Sequence, residues 1–317
     1  MYNYIFGPVP SRRLGMSLGI DLVPKKVCSL DCVYCEVGKT TNLTTTRKEY
    51  SPLAKIVEEI KHYLTHDSKP DYLTITGSGE PTLHSRLGEL IQLVKSNYED
   101  LKVAVITNAT LLSDRQVRAE LSGADVILPS LDAATDIVFN QINLPHASLS
   151  VENHVQGLVQ LRESYRGKIW LEIFILPGYN DQRTELTKLS TYIKRINPDA
   201  IQLNTLDRPG VIKDLKPASS IDLERISKHL AADQLEIILS PSKQNEAVIE
   251  HQDLESLVMN TLRRRPCTID DLGLIAQVSK SLLEEQLKVL EEANQIEVKL
   301  QKRGTFYCIK GKGEVNT

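Results

Sequence analysis

The stretch Cys28-Ser-Leu-Asp-Cys32-Val-Tyr-Cys35 places three cysteines close together, in the spacing C-x3-C-x2-C. A [4Fe-4S] cluster normally takes four protein thiolates, so three thiolates leave one of its irons open. An open coordination position separates a catalytic metal site from a structural one, as it does for zinc. The spacing therefore predicts a [4Fe-4S] cluster bound by these three cysteines, with an open iron that binds a chelating small molecule. Tyr34 is placed to pack beside that molecule.

Two other uses of the three cysteines are a structural zinc site and a cluster whose fourth ligand lies elsewhere. Zinc sites usually pair C-x2-C with a second pair of Cys or His. The remaining cysteines, Cys267 and Cys308, stand alone and far along the chain. We expect both to be packing residues, because a free cysteine often behaves as a small hydrophobe.

Strand-like and helix-like segments alternate between residues 18 and 239, giving six βα units in order. Repeated βα units imply a parallel sheet with helices outside it. Six units fall short of the eight in a closed TIM barrel. The predicted fold is therefore α/β, a parallel sheet of six βα units with ligands at the carboxyl ends of its strands.

Glycine-rich and polar residues follow those predicted strands. The sequence GSGEP occupies residues 77–81, TNA occupies 107–109, and SLDA occupies 130–133. Glycine lets the backbone approach a ligand closely. Short polar side chains in such places either bind a ligand or cap the next helix, and both alternatives stay open for Ser130 and Asp132. Glu172 interrupts an apolar strand and faces either the barrel mouth or an outer helix.

The cysteine loop followed by Gly79-Glu80-Pro81 resembles the radical S-adenosylmethionine (radical SAM) superfamily. The resemblance implies that the six units form a partial (βα)6 TIM-like barrel. It also implies that the open iron binds SAM, and that the reduced cluster cleaves SAM to methionine and a 5′-deoxyadenosyl radical. This radical takes a hydrogen atom from a substrate. A reductant such as flavodoxin or ferredoxin is also implied. The predicted cofactor-binding residues are Tyr34, Gly77, Gly79, Glu80, Pro81, Asn108, Ser130, Asp132, Glu172 and Asn204.

The tail of the chain reads as a separate module. We predict a barrel over residues 1–240, a linker over 241–252 and a winged-helix-like domain over 253–317, because three helices and a hairpin follow the linker. Residues 251–317 carry ten Lys/Arg and ten Asp/Glu. A basic wing formed by Lys299, Lys302, Arg303, Lys310 and Lys312 is expected to dock an RNA or peptide substrate. The radical chemistry is expected to need only the barrel.

Composition narrows the function classes. The chain has 317 residues, 41% hydrophobic residues and a formal net charge of −3. The charge excludes a global nucleic-acid-binding signature. The first residues lack a signal-peptide pattern, and no run approaches the roughly 18 apolar residues of a membrane span. We therefore expect a cytoplasmic protein in a reducing compartment, without membrane contact.

Three hypotheses about the function of the protein remain. The first is a radical SAM enzyme acting on a macromolecule, with tRNA ahead of a peptide; Arg12, Arg13 and Arg208 are then anion-binding candidates, although solvated or ion-paired arginines are the alternative. The second is a radical SAM enzyme acting on a small metabolite, and the third a DNA-binding iron–sulfur sensor.

Residues 7–21 resemble a radical SAM group often placed with the wyosine-forming tRNA enzymes. Many of those enzymes carry further cysteines for a second cluster, which this sequence lacks.

Overall fold

The computed structural model describes residues 2–11, 13–212, 214–230, 234–238, 254–276, 278–301 and 303–310. The predicted linker over 241–252, together with Arg12, Lys302 and Lys312, lies outside the described residues. No helix within the described ranges is long and apolar enough to cross a bilayer.

The described elements follow one another in a regular order along the chain. The strands are β1 (Ile5–Ser11), β2 (Gly15–Asp21), β3 (Val27–Cys28), β4 (Asn42–Leu43), β5 (Tyr72–Thr76), β6 (Lys102–Thr107), β7 (Val126–Pro129), β8 (Lys168–Ile175), β9 (Ala200–Thr205), β10 (Leu235–Ile237), β11 (Cys267–Thr268), β12 (Ile296–Gln301) and β13 (Gly304–Ile309). The helices are α1 (Leu53–His66), α2 (Leu87–Asn97), α3 (Arg115–Glu120), α4 (Asp136–Ile142), α5 (Val151–Ser164), α6 (Arg183–Ile196), α7 (Ser220–Leu230), α8 (Leu254–Arg264), α9 (Ile269–Ala276) and α10 (Lys280–Glu292).

One sheet dominates the fold, in the order β1-β2-β5-β6-β7-β8-β9-β10. Within this sheet the strands from β2 to β10 are parallel, and β1 is an antiparallel edge strand beside β2. The six predicted βα units are confirmed, and β10 adds a short seventh parallel strand. Strand β1, which contains Pro8 and Pro10, was not predicted. Proline is tolerated at a sheet edge because no ladder partner needs its missing N–H.

Alternation along β8 separates the two faces of the sheet. Ile169, Leu171 and Ile173 are fully buried in the main core with the outer helices. Trp170 belongs instead to a separate apolar cluster with residues of β6 and β7. Because side chains alternate along a strand, this second cluster and Glu172 lie on the inner face of the barrel. The floor of the barrel is therefore apolar, and a polar layer lies above it.

The C-terminal unit, residues 254–310, has its own hydrophobic core. The three predicted helices and the hairpin are confirmed as α8, α9, α10 and β12–β13. The short strand β11 pairs with β13 and completes a three-stranded antiparallel sheet. The assignment of this unit as a winged helix, and the domain boundaries, stay predictions.

The C-terminal unit packs against the barrel through two groups of contacts. On the β1–β2 side, the guanidinium of Arg264 lies 4.5 Å from the centre of the Phe6 ring, and its Nε lies 3.9 Å from Oδ2 of Asp21. Lys25 Nζ donates to the carbonyl of Arg263 at 2.9 Å. On the β9 side, Arg303 Nε lies 3.2 Å from Oδ1 of Asp207. The unit thus contacts the barrel both at the β1–β2 edge and at the loop after β9.

A buried group of charged side chains forms the second of these contacts. Arg303 binds both oxygens of Asp271, at 3.1 and 2.5 Å. Arg208 lies 3.2 Å from Glu36 and 3.9 Å from Asp271. The side chains of Asp207, Arg208 and Asp271 are at most 9% exposed. Arg208 was expected to be an anion site or a surface ion pair, but the structure places it in a buried ion-pair network.

Removing one member of this network is expected to destabilise the protein. Asp271→Ala leaves Arg303 without its bidentate partner, and loss of one partner from a buried pair costs about 3–5 kcal/mol. Urea unfolding followed by circular dichroism should show this loss. The neighbouring Asp270 is an exposed control, and Asp270→Ala should change the free energy of unfolding by no more than about 0.5 kcal/mol. Equal effects of the two substitutions would contradict the buried network.

Candidate functional site

The cysteine loop lies at the carboxyl end of the parallel strands, directly after β2 and β3. The backbone N–H groups of Asp31 and Val33 donate to the carbonyls of Asn143 and Ile142, both at 3.0 Å. The end of α4 therefore holds the middle of the loop. Cys28, Cys32 and Cys35 are all free and partly exposed, so the three thiols stand on one well-anchored loop.

Each of the three sulfurs has a side-chain nitrogen beside it. Lys26 Nζ lies 3.1 Å from Cys35 Sγ. Asn108 Nδ2 lies 3.5 Å from Cys28 Sγ, and the other amide, Asn143 Nδ2, lies 3.4 Å from Cys32 Sγ. Such donors stabilise negative charge on sulfur, which is the charge that a metal-bound thiolate carries.

Without a bound metal, burial opposes ionisation of the Cys28 and Cys32 thiols. It raises the pKa of Cys28 to about 12, with a further increase from the charge of Glu80. Burial also raises the pKa of Cys32 well above its usual value. Because a metal ligand must be the thiolate, these positions suit sulfur bound to a positively charged iron centre. The donor set and its N–H partners fit a [4Fe-4S] cluster.

The three sulfurs do not form a compact site for one ion. No group of three or more His, Cys, Asp or Glu side chains in the described ranges converges closely enough to hold a single metal ion. A structural zinc site needs four ligands in a tight tetrahedron. Three cysteines alone are one ligand short of such a site.

Gly77 begins the turn after β5 in a conformation that glycine favours, with φ of +141°. A Cβ atom there would lie 1.9 Å from Oδ1 of Asp21. The same carboxylate accepts hydrogen bonds from the backbone N–H and hydroxyl of Ser78, at 2.8 and 2.9 Å. Asp21 at the end of β2 thus fixes the start of the turn.

Gly79 brings the same turn against the start of the cysteine loop. A Cβ atom at Gly79 would lie 2.2 Å from the carbonyl oxygen of Val27. The backbone N–H of Glu80 donates to that carbonyl at 3.0 Å, and the N–H of Lys26 donates to the carbonyl of Ser78 at 2.7 Å. The two loops are therefore in direct backbone contact.

Glu80 ties this turn to the next one. Its buried carboxylate accepts from the N–H and hydroxyl of Thr82 at 3.0 and 2.6 Å, from the Thr107 hydroxyl at 2.5 Å and from the N–H of Asn108 at 2.8 Å. Pro81 opens a short buried 3-10 helix. Four hydrogen bonds occupy the carboxylate, so Glu80 positions the loops after β5 and β6.

Asp132 holds the aromatic residue of the cysteine loop. Its Oδ2 accepts from the Tyr34 hydroxyl and from Asn143 Nδ2, and its Oδ1 accepts from the N–H of Phe174 at 3.0 Å. Burial raises the pKa of Asp132 to about 6, against hydrogen bonds that lower it. The rings of Tyr34 and Phe174 stack with centres 3.8 Å apart. Both carboxylate oxygens are thus engaged by the protein.

The polar layer inside the barrel contains the other predicted residues. Glu172 faces this interior, where it forms an ion pair with Arg13 and accepts from Asn204 Nδ2 at 2.7 Å. Arg13 also donates to Gln202 at 3.0 Å. Ser130 forms a β-bridge with Glu172. Of the two orientations left open for Glu172, the structure has the inward one.

A cavity of about 560 Å³ lies between the barrel and the C-terminal unit, and Glu36 and Val37, which follow Cys35, are part of its lining. This volume is within the roughly 300–1,000 Å³ of typical small-molecule sites. Gly77 is the predicted cofactor residue that lines it. Its walls include Arg13, Glu36, Thr74, Arg208, Arg264 and Leu274.

Arg264 is a cavity cation whose burial is only partly compensated. Burial lowers its pKa, and the charges of Asp21 and Glu59 offset that effect only in part. In contrast, Arg13 and Arg208 have close carboxylate partners. Arg264 belongs to the last turn of α8, so the C-terminal unit supplies this part of the cavity wall.

The basic wing differs from its prediction. Arg303 faces the barrel and pairs with Asp271 and Asp207. Lys299 pairs with Glu297 at 2.9 Å, and Lys310 donates to Asn294. Arg303 is therefore held in ion pairs with the protein's own carboxylates and is not available to dock a substrate. Docking by the other residues of the wing stays a prediction.

Three residues of the site, Lys26, Asn143 and Phe174, were not predicted. Lys26 has a left-handed φ of +62° next to another lysine, and no motif marks it. Asn143 ends α4, a short helix that was not predicted. The alternation along β8 was the available signal for Phe174, because it places that residue on the same face as Glu172.

Comparisons with known proteins identify a family and several relatives of this chain. The family model of the radical SAM superfamily matches residues 22–189. A protein named GTPase Obg from Brachyspira hyodysenteriae is 35% identical over 92% of this chain, which spans 43% of that protein's length. A UPF0026 protein of Helicobacter pylori (strain J99) is 30% identical over 96% of this chain and 97% of its own length.

Solved structures share the fold. The crystal structure of a radical SAM methyltransferase from Sphaerobacter thermophilus matches with a TM-score of 0.52 at 14% identity. The match covers 70% of this chain and 66% of that one. At this identity the likeness concerns the fold alone.

Gly79→Ala is expected to lower the iron content of the protein. The new methyl group would meet the Val27 carbonyl at 2.2 Å, and it would push the turn away from the loop that carries Cys28. Iron and sulfide measured after anaerobic reconstitution should fall below the wild-type values. Gly273→Ala in α9 is the control, because its nearest contact would be an ordinary 3.7 Å. A Gly79→Ala protein with full iron content would show that the loop contact is dispensable.

Proposed function

We propose that this chain, which belongs to the radical SAM superfamily, binds a [4Fe-4S] cluster through Cys28, Cys32 and Cys35 and, with SAM, takes a hydrogen atom from a substrate. The observation that carries the proposal is the set of three thiols on one loop, each beside its own nitrogen donor. When bound, the cluster supplies the electron that cleaves SAM to methionine and a 5′-deoxyadenosyl radical. A one-electron protein donor such as flavodoxin or ferredoxin is the proposed reductant.

The chain's own residues prepare the site for SAM. The backbone of residues 77–79 lies beside the cysteine loop, and we assign it to the amino group of SAM. Glu80 and Asn108 hold this backbone and the loop after β6 in register. Ser130, Glu172 and Asn204 lie on the interior face, where they are proposed to meet the ribose or the substrate. Asp132 and Tyr34 orient the loop.

The size of the substrate is a second point of the proposal. The cavity of about 560 Å³ is closed on one side by α8 and α9 of the C-terminal unit. A small metabolite fits such a space whole, whereas a tRNA or a peptide would have to insert a single nucleotide or side chain. We base the proposal of a small substrate on this volume alone, since none of the three cysteines lines the cavity. The grouping with wyosine-forming enzymes stays a prediction.

The chemistry is tested through the cysteines. Alanine at Cys28, Cys32 or Cys35 should abolish the formation of 5′-deoxyadenosine from SAM, because each thiolate is proposed to hold one corner of the cluster. The assay is mass spectrometry after anaerobic incubation with SAM and dithionite. Cys308→Ala is the control and should retain full iron content and full cleavage. Loss of iron in this control equal to that in Cys32→Ala would contradict the three-ligand cluster.

The substrate class is tested by comparing three pools of candidate substrates. The reconstituted protein is incubated with SAM and reductant in the presence of a dialysable metabolite fraction, purified tRNA or a peptide digest. The metabolite fraction should increase 5′-deoxyadenosine formation, and a mass change should appear in one of its components. Cys32→Ala protein with the same pools gives the background. Stimulation by tRNA alone would overturn the small-substrate proposal and leave the radical chemistry standing.

A further inference from the structure

The three nitrogen donors around the cysteines come from three separate parts of the chain. Lys26 precedes β3, Asn108 follows β6 and Asn143 follows α4. Each lies beside a different sulfur, at 3.1, 3.5 and 3.4 Å. One donor per sulfur, brought together by the fold, is a regular arrangement that the loop sequence alone does not provide.

The amide of Asn108 is fixed in orientation by its other hydrogen bonds. Its Oδ1 accepts from the N–H and the hydroxyl of Thr110, at 3.1 and 2.9 Å. Its Nδ2 donates to the Ser29 hydroxyl at 2.9 Å. A flipped amide would lose the bond from the Thr110 N–H, because an NH2 group cannot accept it, whereas the two hydroxyls can donate or accept. The nitrogen must therefore be the atom that faces Cys28.

Asn143 is fixed in the same way. Its Nδ2 donates to Oδ2 of Asp132 at 2.9 Å, and its backbone carbonyl accepts from the N–H of Asp31 at 3.0 Å. The residue is 2% exposed. Since a carboxylate accepts hydrogen bonds, the NH2 group faces both Asp132 and Cys32.

Lys26 is held by its backbone and buried at its side chain. Its N–H donates to Ser78, and its carbonyl accepts from Thr41 and Asn42 at 3.1 Å. The residue is 5% exposed, and no carboxylate lies within ion-pair distance of its ammonium among the described residues. A buried cation needs a compensating charge. As a thiolate, Cys35 would supply that charge, with its sulfur 3.1 Å from the ammonium.

From this arrangement we infer that Lys26, Asn108 and Asn143 are positioning residues that raise the reduction potential of the cluster, an inference that rests on the proposed function. Reduction adds one electron, taken from a low-potential one-electron donor, to a cluster whose sulfurs already carry negative charge. Hydrogen bonds to the sulfurs and nearby positive charge stabilise that added electron. Lys26 has the full charge and the shortest contact, so its effect is the largest of the three.

The test is a potentiometric titration of the reconstituted protein, followed by electron paramagnetic resonance (EPR). Lys26→Met removes the charge and the donor, and it should lower the midpoint potential at unchanged iron content. Lys26→Arg keeps both and should stay near the wild-type potential. Lys95→Met is the matched control, because the Lys95 ammonium pairs with Asp125 at 3.0 Å, before the start of β7. An unchanged potential in iron-loaded Lys26→Met would overturn the inference.

The two asparagines keep the inference testable if Lys26→Met fails to retain iron. Asn108→Ala and Asn143→Ala each remove one neutral donor and should lower the potential by less than the lysine substitution does. Wild-type potentials in both would overturn the inference. Failure of the wild-type protein to form any [4Fe-4S] signal is a different outcome, because it contradicts the proposed function itself.

Discussion

The contact between two backbones, the turn at residues 77–80 and the start of the cysteine loop, is the constraint on which the site depends. Gly79 allows this contact because any side chain would collide with the Val27 carbonyl. Two backbone hydrogen bonds then join the loops, one from Lys26 to Ser78 and one from Glu80 to Val27. Through them the carboxyl end of β5 positions the first cysteine, and Glu80 extends the arrangement to the end of β6.

The C-terminal unit is part of the same construction. Its residue Asp271 joins Arg208 and Arg303 in a buried network that also reaches Glu36, the residue after Cys35. The unit also supplies Arg264 to the cavity wall. The expectation that the barrel alone suffices for the chemistry stays a prediction, although the cavity wall is formed by both units. Charge burial of this kind couples the tail to the cysteine loop.

Local patterns in the sequence predicted much of this. The apolar periodicity gives the six βα units, and the cysteine spacing together with residues 79–81 marks the position of the site. Contacts between residues that lie far apart in the sequence could not be predicted in this way. Nothing adjacent in sequence indicates that Asn143 reaches Cys32, or that Arg303 turns inward to Asp271. Such contacts depend on which charges are buried together, and periodicity carries no information about that. Strand β1 was not predicted because its two prolines, Pro8 and Pro10, are unusual in a strand.

The central claim is that three cysteines leave one iron open for SAM. The most direct measurement is the EPR spectrum of the reduced, reconstituted protein before and after addition of SAM. Direct coordination of SAM at the open iron predicts a clear change in the g values of the cluster. An intact, fully loaded cluster whose spectrum is the same with and without saturating SAM would contradict the account.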